Sequence, residues 1–277
     1  MRLSLSQIST VNASFAADVA AYTGAGFDAI GIWEFKLPED DRENMNALAS
    51  AGLAVANCVP AVPSILQLKI PGLEGPADPE ERIESICASV ARLANYGPES
   101  ILCLTGPRGE LSLDEATARV TDGLHRIART ARAAGVRVGL EPMHPSQSQS
   151  GSFLTSLAAA ITFLDAAGLD DIGIMLDTSH VWDDAGAEGW IAVHVDRITG
   201  VHVCDRPPGE GRTDRALPGT LGPRTATLVR AARAAGWDGS LDVEIFSEPD
   251  QFWALPVDEA ALRAHAAAAS VMAASAP

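Results

Sequence analysis

Thiols and basic side chains are scarce in this chain. Its four cysteines, Cys58, Cys87, Cys103 and Cys204, lie far apart with no C-x-x-C pair. Their spacing offers no thiolate metal site, and the pattern suits structural thiols in a reducing compartment. Twenty Lys and Arg stand against 36 Asp and Glu, a formal charge of −16. Nucleic acid and anionic membrane are thereby poor partners, because a protein needs Lys and Arg to displace the counterions of a polyanion. No stretch reaches about 18 uninterrupted apolar residues, and the N-terminal MRLSLSQISTVNAS turns polar before a signal core accumulates. These absences lead to the expectation of a soluble, untargeted, cytoplasmic protein. Nucleotide fingerprints are missing as well: no G-x-G-x-x-G follows the first short apolar run, and G-K-[ST] occurs nowhere.

What remains is an ordinary globular composition, 47% hydrophobic with 24 Gly and 17 Pro over 277 residues. No linker, repeat or low-complexity stretch divides it, so residues 1–277 are read as one domain. Eight short apolar or β-branched runs, at 3–6, 29–33, 55–58, 101–104, 137–141, 172–177, 200–203 and 240–245, alternate with longer segments of helical period. The helical faces include Phe15, Val19 and Tyr22; Val120, Leu124 and Ile127; and Leu154, Leu157, Ile161 and Leu164. Glycines suited to ending helices follow at Gly24, Gly52, Gly135, Gly168 and Gly236. Eight βα units close most economically into a (β/α)8 TIM barrel, an α/β fold that leaves no sheet edge exposed. An open doubly wound sheet is the alternative. The Ala-rich stretch 262–277 reads as a closing helix.

In such a barrel the residue that ends a strand points into the C-terminal mouth, where the fold carries its chemistry. The fifth run ends in Glu141, the sixth in Asp177 and the eighth carries Glu244, while the seventh carries His202. A carboxylate flanked by Val, Leu and Ile on a buried strand is unfavourable unless paired or bound to a cation. Any one of these acids is equally well explained as a helix cap or an arginine partner. Four groups at corresponding positions of consecutive strands point instead to one shared divalent ion. The oxygen-rich set suits Mn²⁺ first, with Mg²⁺, Co²⁺ or Zn²⁺ as alternatives.

The segments GIWEF (31–35), LEPMHP (140–145), LDTSHVWDD (176–184), VHVCD (201–205) and VEIFSE (243–248) together resemble the xylose-isomerase-like TIM barrels that include sugar phosphate isomerases and epimerases. The resemblance implies that Glu141, Asp177, His202 and Glu244 hold the metal, and that His180, three residues after Asp177, contacts substrate or metal. It further implies a divalent-metal-dependent isomerase or epimerase of a sugar or keto-sugar, phosphorylated or free. One of Glu141 and Glu244 would take a proton next to the substrate carbonyl and the other return it. A metal-dependent lyase or dehydratase of a keto-cyclitol or 3-keto-glycoside is the alternative, since both chemistries begin with the same proton abstraction. A DNA-repair endonuclease of this superfamily is disfavoured by the charge, and a non-catalytic sugar binder by the retention of all four ligand types.

Other candidates for substrate contact are less sharply marked. Trp33, Trp182 and Trp253 follow strands two, six and eight and suit either stacking on a sugar ring or packing. Arg206, Arg212 and Arg215 lie in the loop after strand seven, where they suit a phosphate or carboxylate, or a surface salt bridge. His144 is placed to line the pocket, whereas His125, His194 and His265 fall in helical segments and are read as structural. Relatives often carry Gly-Asp/Glu-Gly in this loop. Here Pro218-Gly219-Thr220-Leu221-Gly222 stands instead, so the usual contacts of that loop are not expected. A small-molecule sugar is the expected partner, and the sequence leaves a homo-oligomer open.

Overall fold

Eight parallel strands alternate with eight α-helices in a computed structural model, which describes residues 1–209 and 214–276. The strands are β1 (Arg2–Ser6), β2 (Ala29–Trp33), β3 (Ala54–Val59), β4 (Ser100–Cys103), β5 (Val138–Leu140), β6 (Ile172–Asp177), β7 (Ile198–Val203) and β8 (Ser240–Val243). Each pairs with its neighbour in sequence, and β1 pairs with β8, so the barrel is closed. The open-sheet alternative is thereby set aside. The helices are α1 (Phe15–Ala25), α2 (Asp41–Ala51), α3 (Pro79–Leu93), α4 (Leu113–Ala134), α5 (Leu157–Ala166), α6 (Ala187–His194), α7 (Arg224–Ala234) and α8 (Val257–Ala274). Among the described residues, no helix is long and apolar enough to cross a membrane.

Local chemistry sets the helix boundaries. Ser112 and Glu115 form a reciprocal capping box at the start of α4, satisfying two amides that the first turn leaves without partners. Val120, Leu124 and Ile127 of that helix are buried against the barrel, each stabilising the fold by about 1.5–3 kcal/mol. Gly24 does not end α1, as its spacing suggested. The helix runs to Ala25, and Gly26 adopts the left-handed conformation (φ 91°) that closes it, donating back to Thr23 and Tyr22. Gly24 stays helical, because the left-handed turn that closes the helix falls two residues later. The closing helix α8 begins five residues earlier than the Ala-rich stretch that announced it, and His265 stacks edge-on against Phe27. Cys58, Cys103 and Cys204 are free and buried, and burial pushes their thiols up, Cys103 to about 12. Buried and held as thiols, they fit the reading of structural cysteines.

Two buried cations brace the mouth. Lys36 Nζ lies 2.6 Å from Asp18 Oδ2 and donates to the carbonyls of Thr10 (2.7 Å) and Gln7 (3.2 Å). Asp18 also accepts from Gln7 Nε2 and Thr10 Oγ1, and Gln7 Oε1 receives the Trp33 amide. Burial alone pulls the two pKa values toward neutrality, Asp18 upward and Lys36 downward, and each partner opposes the change in the other. The second cation, Arg82, holds the long segment 60–78 between β3 and α3. It is wholly buried and donates to the carbonyls of Ser64 (2.8 Å), Glu74 and Pro76 (2.8 Å) and to Ser64 Oγ (2.6 Å). The segment is also tied to the stretch just after β4, by Ile65 N–H to Leu104 O and Leu66 N–H to Thr105 O. It forms a strap across the barrel mouth.

Candidate active site

Glu141 and Glu244 each stand one residue beyond their strands, yet the ladder still carries their amides, to Cys103 O (3.0 Å) and Val203 O (3.4 Å). Asp177 ends β6 and pairs in register with His202, which in turn pairs with Asp242 of β8. All five residues are buried. Glu141, Asp177 and His202 each offer one ligand atom, and these atoms lie within 4.8 Å of one another. His202 Nδ1 is 3.1 Å from Glu141 Oε1 and 3.6 Å from Glu244 Oε2. Glu244 therefore shares the imidazole with Glu141 and borders the trio. His180 is drawn in as well: its Nδ1 accepts the His144 amide (3.2 Å), leaving Nε2 3.5 Å from Asp177 Oδ2 and 4.0 Å from Glu141 Oε2.

The electrostatics of this cluster follow from burying three carboxylates together. Burial raises the pKa of both Glu141 and Glu244, and repulsion from Asp177 adds to each rise. Burial also opposes a charge on His202, but Glu244, Glu141 and Asp242 outweigh it and favour the imidazolium. His180 is held neutral, down to about 3, because burial and the nearby Arg215 and Arg206 oppose its protonation. Asp177 is held ionised against burial by the Arg215 guanidinium and the His202 imidazolium. Its Oδ1 accepts from the Ser179 amide at 2.7 Å, whereas the buried Oδ2 has no hydrogen-bond partner among the described residues. A buried anionic oxygen without a donor, beside a carboxylate and an imidazole, is the arrangement that a divalent cation satisfies. The donor set fits such an ion.

Above the cluster opens a cavity of about 620 Å³, counting its mouth, lined by Glu141, Glu244, His180, Arg215, Gln147 and Trp33 among others. Arg215 Nη2 lies 3.9 Å from Asp177 Oδ2. Trp33 forms a wall, its indole N–H on Ser6 Oγ (2.9 Å) and its ring edge-on to Phe246. His144, Trp182 and Arg206 line a separate neighbouring cavity, with Arg206 Nη2 on Ser146 Oγ (2.9 Å). Trp253 faces a third groove, its indole N–H on Ile245 O. Arg212 lies outside the described residues.

The profile of the xylose isomerase-like TIM barrel matches residues 19–270, nearly the whole chain. The chain belongs to that family. An L-ribulose 3-epimerase of Mesorhizobium japonicum is 28% identical over 170 residues, 60% of this chain and 54% of that protein. The match thus spans about half of that relative's length. Among solved structures, protein SMc04130 from Sinorhizobium meliloti superposes with a TM-score of 0.83 at 24% identity, covering 97% of this chain and 98% of its own. The IolI protein, solved with a bound zinc atom, gives 0.76 at 18% identity over 99% and 98%.

Within this xylose isomerase-like barrel, strand-end reasoning found the four mouth residues but missed what lies under them. Asp242 sits two residues before Glu244, hence on the same side of β8. Its carboxylate accepts from Ser4 Oγ (2.6 Å) and Asn57 Nδ2 (2.7 Å), and its Oδ2 lies 3.9 Å from His202 Nε2. The carboxylate thus lies behind the imidazole, whose other nitrogen faces the mouth, at ion-pair and not hydrogen-bond distance; among the described residues His202 Nε2 has no hydrogen-bond partner. Gly31 makes room for the carboxylate, because a Cβ there would come within 2.1 Å of Asp242 Oδ2. Gly31→Ala is expected to destabilise the protein by about 1–3 kcal/mol through overpacking and to weaken divalent-ion affinity by displacing Asp242. Urea denaturation and metal titration check the two effects, and an unchanged affinity would separate Asp242 from His202. In the loop after β7, Asp205 takes the Gly219 and Leu221 amides at 2.9 and 2.7 Å, bracing the 218–222 segment from below.

Proposed function

We propose that this protein is a divalent-metal-dependent epimerase or isomerase of a ketose, working by proton transfer at the carbon next to the carbonyl. The observation that carries this reading is the placement of two buried carboxylates, Glu141 and Glu244, around one imidazole nitrogen at the floor of the central cavity. The epimerase named among the relatives supports epimerisation over elimination. Glu141, Asp177 and His202 would hold the cation, with Glu244 at its border; Mn²⁺, Mg²⁺, Co²⁺ and Zn²⁺ all suit the set. Bound there, the ion supplies Lewis-acid polarisation of the substrate carbonyl, which acidifies the neighbouring C–H.

The chain's own groups do the rest. Glu244, whose burial makes it a stronger base than a solvated carboxylate, removes the proton. Glu141 enters from β5, across the β6–β7 pair from β8, and relays a proton taken up from solvent to the opposite face of the same carbon, while Glu244 later returns its own to solvent. The proton count is restored and the configuration inverted. Arg215 donates to a substrate oxygen, and Trp33 shields one side from water.

In D2O, a converted ketose is expected to gain deuterium at the carbon next to the carbonyl. The gain should cease with EDTA and return with Mn²⁺ or Co²⁺. Conversion without deuterium entry, read by NMR, would point to a hydride shift and overturn proton transfer. Because Glu141, Glu244 and His202 have raised pKa values in the metal-free protein, the ion must displace protons. Affinity should therefore increase as pH rises, by about tenfold per pH unit for each proton released, which calorimetry between pH 6 and 8 measures.

A further inference from the structure

The cavity above the carboxylates gathers its polar groups at the carboxylate cluster and is otherwise largely apolar. Glu141, Glu244, His180 and Arg215 come from the ends of β5, β6 and β8 and from the loop after β7. Across the cavity, β3, β4 with the residue after it, and the strap supply Val59, Leu68, Ile70, Leu73, Leu102 and Leu104, and Met143 and Phe246, which follow Glu141 and Glu244, join the same apolar cluster. Leu68, Leu102 and Leu104 are buried, and Ile70 and Leu73 are packed against the same cluster. The apolar side is built into the fold. The strap that carries part of it is pinned by wholly buried Arg82 and by paired backbone amides.

A sugar with a hydroxyl on every carbon would put its remote end against this surface, at about 1–3 kcal/mol for each hydroxyl left without a partner. A hydrocarbon group in the same place gains about 25 cal/mol per Å² buried. We propose that the substrate is a keto-sugar whose end remote from the reacting carbonyl is apolar, seated against Leu68, Ile70 and Leu73 of the strap. This deepens the reading above and rests on it for the orientation, because the reacting carbonyl belongs at the carboxylate side. The shared chemistry is hydrocarbon at the remote end, whether from a deoxygenated carbon or from an alkyl or aryl substituent.

The test uses three probes with the Mn²⁺-supplemented protein: D-fructose, 6-deoxy-D-fructose and 6-O-benzyl-D-fructose. Binding is read by calorimetry, and hydrogen exchange with D2O by NMR on the same samples. The expected result is at least tenfold tighter binding of one or both apolar probes than of D-fructose. A gain confined to the benzyl ether identifies a substituent; a gain already present in the deoxy sugar identifies deoxygenation. In Leu68→Asn the advantage should collapse to below threefold, and Ile70→Asn, at a half-buried position, gives the same reading if the first variant fails to fold. Equal or weaker binding of both apolar probes, no binding of any probe, or an advantage unchanged in both variants overturns the proposal. An apolar advantage without exchange would sink the proton-transfer reading and leave this one standing, whereas exchange without the advantage would do the reverse.

Discussion

Glu244→Gln should lower kcat/KM by about 10²–10⁴-fold, the range that a positioned general base contributes, and abolish deuterium entry into the product. The amide keeps the shape of the side chain but cannot take a proton. Stability should move the other way. Glu141, Asp177 and Glu244 are buried together, and burial first, then repulsion from the other two carboxylates, raises the Glu244 pKa in the metal-free protein. Neutralising one of three crowded carboxylates removes that repulsion. The variant should unfold cooperatively at a denaturant midpoint equal to or above that of the metal-free parent, while binding the ion more weakly. Turnover near the parent rate would show that Glu244 is neither base nor necessary neighbour of the ion.

Lys36→Met is expected to destabilise the protein by about 3–5 kcal/mol, because it leaves Asp18 buried without its cation. That is a large share of the roughly 5–15 kcal/mol that holds a native fold together. Two carbonyls, of Thr10 and Gln7, lose their donor at the same time. The effect should spread to the cavity wall, since Gln7 bonds both Asp18 and the Trp33 amide. Asp18→Asn added to Lys36→Met should recover part of the loss by removing the unpaired charge. Urea unfolding of the two single variants and the double variant gives the coupling between the sites. Additive losses would show that the pair does not act as a unit.

Strand periodicity made the barrel legible, and the rule that strand ends face the mouth picked out Glu141, Asp177, His202 and Glu244 as a group. That rule names a loop without saying which way its side chains turn. Trp182 and Trp253 follow strand ends just as Trp33 does, yet only Trp33 lines the central cavity. Asp242 was within reach of the same reasoning, since it alternates with Glu244 along one strand. It went unread because it lies below the strand end, inside the barrel. The Lys36–Asp18 pair and the strap were hidden for another reason. Both depend on contacts across the chain that no local period encodes: Leu66, Leu68 and Ile70 alternate with Gln67 and Lys69 at strand spacing, yet the segment forms no strand of the barrel. Gln147, which lines the cavity from the loop after β5, carries no sequence signal of its own.

Arg82 grips the strap almost entirely through main-chain oxygens: three carbonyls and one serine hydroxyl. Such a grip does not depend on which side chains the strap turns toward the cavity. Leu68, Ile70 and Leu73 can be exchanged while the anchorage persists, so the breadth of accepted molecules can drift separately from the integrity of the barrel. Over evolutionary time, lineages that keep the arginine and Ser64 are free to retune this wall, and a laboratory library confined to positions 68, 70 and 73 samples the same freedom.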